Sequence, residues 1–376
     1  MNIAVFGGTF NPVHNEHINV AKAAIEELSL DKLFIVPTFL PPHKSGAPAP
    51  AEDRLEMLKL AFDGVEKAEI SDFEIKNGGK SYSYVTAEKF AAEYPQAKLF
   101  FIVGEDMLTD FKTWKMPERI LKVADLAVFG RENFAADRAA EKEYFEKTFG
   151  KSFVTLGYCG KDDSSTAIRV YFALGLEIAD KTPEKVAKYI KNRGLYAGGK
   201  YEDYVKRSLP EKRLVHTAEV AVTALKKCKA VGVDENKAYT AAILHDCAKY
   251  SDPRDYAGFT LPDGVPQPVV HAFLGAFVAE NVLKITDKEI IDAIRYHTSG
   301  KPSMSALGKL VFVADMIEKG RDYDGVDRLR RLFDGDFDVC FKECLKEEVL
   351  HLLNKKRYIY AETLNAYDYY IKENRN

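Results

Sequence analysis

The run Ile3-Ala4-Val5-Phe6-Gly7-Gly8-Thr9-Phe10-Asn11-Pro12-Val13-His14-Asn15-Glu16-His17 decides how the first half of the chain is read. Four apolar residues predict a strand, two glycines a turn, and a helix is predicted to begin near His17. A glycine-rich turn feeding a helix N-terminus is an anion site, because unpaired N–H groups and the helix dipole face the ligand. The run is not a dinucleotide fingerprint, since it holds no G-x-G-x-x-G. Gly79-Lys80-Ser81 does not complete a P-loop either, because Glu74 stands where its first glycine should be. Phosphate must be held another way.

Outward from that strand, short β-rich runs recur at Leu33–Val36, Leu99–Val103, Leu126–Phe129 and Phe153–Leu156, with helical patterns between them. Strands spaced by helices predict a parallel sheet with crossover connections. The texture changes at Asn192-Arg193-Gly194-Leu195-Tyr196-Ala197-Gly198-Gly199-Lys200, which is glycine-rich, lacks periodicity and reads as a linker. From Tyr201 onward only helical patterns follow, at Glu211–Ala230, Asn236–Tyr250, Asp287–His297 and Ser305–Lys319. The fold class is two domains: an N-terminal α/β domain with a parallel sheet, residues 1–196, and a C-terminal all-α helical bundle, residues 197–376. A length of 376 residues agrees with that division.

Composition narrows the class further. Hydrophobic residues at 46% and aromatics at 12% exclude a disordered chain. With 54 Lys+Arg against 57 Asp+Glu the net charge is −3, too balanced for a protein whose main partner is a nucleic-acid backbone. No apolar run approaches a membrane span, and the start reads as a strand and not as an export signal, so a cytoplasmic location is expected. The five cysteines form no CxxC pair, which fits reduced, mostly buried thiols.

His14 and His17, three apart at a predicted helix start, can both donate to phosphate oxygens as charge develops in a transition state; a structural role for such a pair stays open. Ser164-Ser165-Thr166-Ala167-Ile168-Arg169 adds three hydroxyls and an arginine at another predicted helix start. Together these motifs resemble the HxGH-type nucleotidyltransferases, and most closely the bacterial nicotinate mononucleotide adenylyltransferases. The likeness also rests on Pro37-Thr38-Phe39-Leu40-Pro41-Pro42-His43-Lys44, Arg54-Leu55-Glu56-Met57, Ser81-Tyr82-Ser83-Tyr84-Val85-Thr86, Gly104-Glu105-Asp106 with Phe111 and Trp114, and Tyr189-Ile190 with Gly194-Leu195-Tyr196.

The resemblance implies a Rossmann-like nucleotidyltransferase that carries AMP from ATP to nicotinate mononucleotide, giving deamido-NAD and pyrophosphate in NAD biosynthesis, with Mg²⁺ on the phosphates. It implies catalytic contacts from His14, His17 and Arg169, helped by Ser164, Ser165 and Thr166. Binding residues carried over are Gly7, Gly8, Thr9, Phe10, Lys44 near the phosphates, Gly104, and, for the pyridine nucleotide, Thr86, Asp106 and Trp114. Nicotinamide mononucleotide or phosphopantetheine is the alternative acceptor. Two positions depart from the pattern. Glu16 replaces a glycine, which is expected to set a carboxylate beside the phosphate site, and Val85 replaces an acid.

In the second half His216, the adjacent pair His245-Asp246, His271, His297 and Asp315 fall on five helical patterns. An aspartate among alanines and leucines needs a partner or a metal. Four imidazoles and two carboxylates suit iron foremost, or manganese, cobalt or zinc, and not calcium. Six ligands exceed one tetrahedral zinc, so two divalent transition metals bridged by Asp246 are expected. The order H…HD…H…H…D resembles the HD-domain phosphohydrolases. The strings Leu244–Lys249, Ile294–Gly300 and Val313–Tyr323 resemble their symmetrical diadenosine tetraphosphate hydrolases.

That resemblance implies cleavage of diadenosine tetraphosphate to two ADP, with Asp246 and Lys249 as catalytic residues; a non-catalytic nucleotide- and metal-binding regulatory module is the alternative. Lys249, one turn beyond Asp246, can reach the same phosphate. Arg213 and Arg321 could hold a second phosphate or form surface ion pairs, and Cys247 reads as core. The expected partners are small-molecule nucleotides, namely ATP, nicotinate mononucleotide and diadenosine tetraphosphate. No nucleic acid and no membrane are expected, and a homo-oligomer stays open.

Overall fold

Apolar runs without alternation, such as Ile3-Ala4-Val5 and Leu33-Phe34-Ile35-Val36, can be buried only if both faces of their sheet are covered. A computed structural model describes residues 1–40, 49–131, 138–161, 164–178 and 180–372, and places these runs at the centre of a parallel sheet. The strands are β1 (Asn2–Gly8), β2 (Lys32–Pro37), β3 (Ala68–Ile70), β4 (Lys98–Gly104), β5 (Asp125–Arg131) and β6 (Phe153–Gly160). Their order is β3-β2-β1-β4-β5-β6, with every pairing parallel. Ile3, Val5, Leu33, Ile35 and Leu126 are wholly buried. The short edge strand β3, which the patterning misses, carries exposed Glu69.

The helices of this part are α1 (Asn15–Glu27), α2 (Ala51–Phe62), α3 (Phe73–Asn77), α4 (Ser83–Glu93), α5 (Glu105–Asp110), α6 (Pro117–Val123), α7 (Arg138–Phe149), α8 (Ser165–Ala173) and α9 (Glu184–Arg193). The strand order reverses between β1 and β4. In open α/β sheets ligands bind outside the carboxyl ends of the strands at that crevice, and here those ends are Gly7-Gly8 and Val103-Gly104. At Gly8 a Cβ would lie 3.0 Å from the Phe10 ring, so any other residue would push that ring by a few tenths of an ångström. Helix α1 starts two residues before the predicted His17, with extended His14 as its N-cap.

The chain divides into two compact units, Met1–Arg169 with Ile178–Tyr196, and Val170–Glu177 with Ala197–Asn376. The second is helical: α10 (Lys200–Ser208), α11 (Glu211–Lys227), α12 (Glu235–Leu244), α13 (Val270–Phe277), α14 (Lys288–Tyr296), α15 (Ala306–Ile317), α16 (Val326–Asp334), α17 (Phe337–Asn354) and α18 (Ala361–Tyr367). The run 192–200, read as a linker, is ordered by helices at both ends. Gly194, at φ +61°, closes α9 as a left-handed C-cap, and Lys200 opens α10. A Cβ on Gly198 would come within 2.4 Å of the Ala173 carbonyl, so glycine there serves close packing. Among the described residues no helix is long and apolar enough to cross a membrane.

Candidate active sites

The loop between β1 and α1 is fastened from several sides. Ser165 Oγ donates to the Pro12 carbonyl at 2.8 Å and Arg169 NH1 to the Asn11 carbonyl at 2.9 Å. Thr182 Oγ1 donates to the Val13 carbonyl at 2.9 Å, and the Tyr196 hydroxyl to Asn11 Oδ1 at 2.7 Å. Ser164 Oγ accepts from the Ala167 amide, the capping bond expected of that residue. The His14 amide donates to His17 Nδ1 at 3.1 Å, and the two imidazole centroids are 3.7 Å apart. The hydroxyl-arginine segment and both histidines therefore meet on one loop at the N-terminus of α1. Phe10, at φ +47° and nearly buried, packs its ring 4.9 Å from His17.

Arg54 stands in the first turn of α2. Its guanidinium is buried and donates to the carbonyls of Thr9, Thr38, Phe39 and Ala49 at 2.6–3.2 Å. One cation thus ties the loop after β1 to the loop after β2, and removing it would leave buried acceptors unmet. Lys44 lies outside the described residues.

The expected position of Glu16 is corrected by the structure. Its carboxylate turns to β6, accepting from the Tyr158 hydroxyl at 2.7 Å, the Lys161 amide at 2.9 Å and Asn19 Nδ2 at 2.9 Å. Burial, with the Glu16 charge next to it, pushes the Tyr158 phenol up to about 12, so it stays a donor. Glu16 is helical with no positive φ, so the position needs no glycine.

On the other side of the switch point, Gly104 caps α5 and Asp106 lies in its first turn. Trp114 is half-buried, its ring 5.2 Å from Phe111 and 6.5 Å from Phe101. The same segment grips the start of α4. Lys115 lies 4.2 Å over the Tyr82 ring, the Arg119 guanidinium 4.3 Å over Tyr84, and Arg119 also pairs with Glu88. Thr86 is buried there, and its hydroxyl donates to Glu74 Oε1 at 2.5 Å.

In the second unit the six expected ligands converge. His216 stands on α11, His271 on α13 and Asp315 on α15, whereas His245, Asp246 and His297 lie where α12 and α14 stop. The predicted helix 236–250 ends at Leu244, and Lys249 returns through a turn, its amide bonded to the Asp246 carbonyl at 2.9 Å. His245 Nδ1 faces the Ala242 carbonyl and His297 Nδ1 the Ile294 carbonyl, each at 2.7 Å. Those bonds place the proton on Nδ1 and leave the Nε2 lone pairs pointing inward.

Inside, Nε2 of His216 is 3.3 Å from Nε2 of His245, and Nε2 of His271 is 3.3 Å from that of His297. Two nitrogens sharing one ion at about 2.1 Å would lie roughly 3.0–3.4 Å apart. Asp246 Oδ1 is 3.0 Å from His271 Nε2 and 3.5 Å from His297 Nε2, and Oδ2 is 3.6 Å from His245 Nε2. Asp315 Oδ1 is 3.0 Å from His216 Nε2.

Among the described residues nothing donates a well-directed hydrogen bond to buried Asp246 Oδ1, as expected of lone pairs assembled to face a cation. The donor set forms three overlapping triads, His216–His245–Asp246, His245–His297–Asp315 and Asp246–His271–His297, so it fits a divalent metal and has room for two. Cys247 is buried outside these triads, as its core reading expects.

Electrostatics agree. Burial pushes the His245 imidazole down to about 3, so it is neutral at physiological pH, and burial also lowers His271. Burial opposes the charge on Asp246, yet the imidazoles of His245, His271 and His297 hold its carboxyl well below the usual carboxylate range. Arg213 and Arg321 are not surface pairs: Arg213 NH1 is 3.0 Å from Asp246 Oδ2, and Arg321 NH2 is 2.5 Å from Asp315 Oδ1. Lys249 Nζ is 3.0 Å from His271 Nε2 and 3.5 Å from Asp246 Oδ1.

Glu318 was missed by the sequence reading. It is buried and meets His216 Nδ1 at 3.0 Å, the carboxylate–histidine arrangement that orients a metal ligand. Its place three residues after Asp315 was the available signal, since that spacing shares a helix face.

Comparison with known proteins finds two family models in the chain. A cytidylyltransferase-like family model matches residues 5–170, and an HD domain model matches residues 213–320. A Clostridium tetani protein named "Probable nicotinate-nucleotide adenylyltransferase" is 40% identical over 195 residues, 51% of this chain and 98% of that one. The chain belongs to the nicotinate-nucleotide adenylyltransferase family. Within that family a Mycoplasma pneumoniae relative, "Probable nicotinate-nucleotide adenylyltransferase/Ap4A hydrolase", is 27% identical over 352 residues, 91% of this chain and 97% of its own. A crystal structure of a "predicted HD superfamily hydrolase involved in NAD metabolism" from Clostridium acetobutylicum is 31% identical, with a TM-score of 0.43 over 46% of this chain and 95% of that one.

Two outcomes follow. Glu16→Gly removes the bonds to Tyr158 and Lys161 and adds a helical glycine, so it lowers unfolding free energy by about 2–4 kcal/mol in urea titration while the ATP KM stays within about twofold. A large rise in ATP affinity would contradict the placement of Glu16. Glu318→Gln frees the His216 ring and weakens metal affinity by about 10–100-fold, measured by competition with a chromogenic chelator.

Proposed function

We propose that the chain is a bifunctional enzyme: it transfers AMP from ATP to nicotinate mononucleotide, and it hydrolyses diadenosine tetraphosphate to two ADP. The observation that carries this is the convergence of two phosphate-handling constellations on one chain, a histidine–hydroxyl–arginine loop at a sheet switch point and a six-ligand metal cluster. The catalytic domains are assigned to residues 1–196 and 197–376. The free thiols, buried except for Cys159, fit a reducing cytoplasm.

In the first domain the acceptor's 5′-phosphate attacks the α-phosphorus of ATP in line, and pyrophosphate leaves. Catalysis there is positioning and charge stabilisation. His14, His17 and Arg169 meet the phosphates, Ser164, Ser165 and Thr166 add donors, and Gly7, Gly8, Thr9 and Phe10 let the chain approach the nucleotide. Lys44 belongs to the phosphate side, and Thr86, Gly104, Asp106 and Trp114 to the acceptor side. Magnesium is the ion assigned to the phosphates.

In the second domain His216, His245, Asp246 and Asp315 would hold one divalent ion, and Asp246, His271 and His297 a second, with iron the first choice and manganese, cobalt and zinc the alternatives. When bound, such ions supply an acidified water as nucleophile and neutralise charge on the phosphates. Arg213, Lys249 and Arg321 lie against Asp246, Asp315 and Glu318, three cations to three carboxylates. Two divalent ions would therefore make the site strongly cationic, as a polyphosphate substrate requires. Lys249 reaches the phosphate held against Asp246, and Arg213 and Arg321 orient the ligand carboxylates.

Product analysis tests both activities. With ATP and Mg²⁺, nicotinate mononucleotide is expected to give the dinucleotide and pyrophosphate; turnover of phosphopantetheine alone would reject the acceptor. With diadenosine tetraphosphate and Fe²⁺, Mn²⁺ or Co²⁺ the product is ADP, and Asp246→Ala or chelation lowers the rate at least about 100-fold. Intact tetraphosphate would reject hydrolysis, and ATP plus AMP would reject symmetrical cleavage.

A further inference from the structure

We infer that Thr298 is a further catalytic residue of the second domain: its hydroxyl, beside the Lys249 ammonium, donates to an oxygen of the phosphate under attack. This rests on the bifunctional reading above and deepens it.

Thr298 stands in the turn that follows α14, one residue after the ligand His297. Its Oγ1 lies 3.0 Å from His297 Nε2. Nδ1 of that ring faces the Ile294 carbonyl and carries the ring proton, so Nε2 is an acceptor and the threonine is the donor. The backbone around this bond is fixed. The Gly300 amide donates to the Tyr296 carbonyl at 2.9 Å, with Gly300 at φ +66°, and buried Ser299 donates to the Gly300 carbonyl at 3.0 Å. His297 and Ser299 are buried, whereas Thr298 between them is half-buried, so the turn opens to solvent at this residue.

An imidazole nitrogen has one lone pair, and the one that Thr298 bonds is the one His297 would give to a divalent ion. Hydroxyl and ion cannot share it. Lys249 stands in the same relation to His271, with Nζ 3.0 Å from its Nε2, and the two Nε2 atoms are 3.3 Å apart. Arg213 and Arg321 differ, because they bond Asp246 Oδ2 and Asp315 Oδ1, and a carboxylate has lone pairs enough for an arginine and an ion together. Loading the cluster therefore leaves both arginines in place and frees two donors, Thr298 and Lys249. Both flank the His271–His297 pair.

The acceptors that a polyphosphate brings to that side are its non-bridging oxygens. Hydrolysis adds one water across the central P–O–P link. The water oxygen bonds to one phosphorus, the bond from that phosphorus to the bridging oxygen breaks, and ADP leaves with the electron pair while the water protons pass to the product phosphates and solvent. Charge is spread over the non-bridging oxygens in the transition state, where donors already in position stabilise it. Thr298 keeps its proton throughout. Its β-branched side chain is stiff at χ1, so the hydroxyl is aimed before substrate arrives.

The test uses the full chain with Mn²⁺ and two variants: Thr298→Val, which keeps the shape and removes the donor, and Thr298→Ser, which keeps the donor. Thr298→Ala replaces the valine variant if that one does not fold. On diadenosine tetraphosphate, Thr298→Val should lower kcat by about 10²–10³-fold with KM within about threefold, and Thr298→Ser should recover most of the loss. Mn²⁺ affinity of Thr298→Val, measured by chelator competition, should be unchanged or up to about tenfold tighter, since no hydroxyl has to leave His297. A ligating or merely structural threonine would show the opposite, a weakened metal.

Thr298→Val that cleaves at the unsubstituted rate overturns the inference, and so does a variant whose Mn²⁺ affinity falls by more than about tenfold. An unsubstituted chain that binds Mn²⁺ and leaves the tetraphosphate intact overturns the bifunctional reading itself.

Discussion

Lone pairs that face one another inside a protein require a cation, and the second domain is organised around that requirement. Asp246 is almost wholly buried, with the Nε2 atoms of His245, His271 and His297 within 3.6 Å of its oxygens. The backbone carbonyls of Ala242 and Ile294 hold the outer ring protons of His245 and His297, so those rings cannot turn their donors inward. Both carbonyls belong to the last turns of helices, which explains why α12 and α14 stop where they do. Ending the helix frees the side chain that follows to point at the centre.

The first domain meets the same problem, concentrated negative charge, with different means. In the proposed reading the ligand carries the charge and the protein would supply the donors: a helix N-terminus, two imidazoles, hydroxyls and Arg169. Such a loop works only if its backbone stays in place. Buried Arg54, bonded to four carbonyls of two loops, supplies that rigidity without touching the phosphates. Near-neutral overall charge is compatible with both chemistries, because each cation is placed locally.

The fold was largely legible because its determinants are local or periodic. Strands buried on both faces write themselves as apolar runs, and the six metal ligands stand out as polar residues in apolar helices. What escaped depends on distant contacts. β3 is three residues long at a sheet edge, too short for a pattern. Arg54 is given by the sequence only as part of a motif; its burial is decided by loops 15 and 45 residues away in sequence. Glu16 looked like an intruder at a phosphate site because nothing near it in sequence announces Tyr158 and Lys161. His245 continues a helical pattern, and only the carbonyl bond to its ring marks the stop.

Counting metal ions by anomalous diffraction from crystals grown with manganese tests the central claim most directly. The account predicts two peaks about 3.5–4 Å apart, both contacted by Asp246, with His216, His245 and Asp315 on one and His271 and His297 on the other. A single peak, or an Asp246 carboxylate that touches no ion, would contradict it.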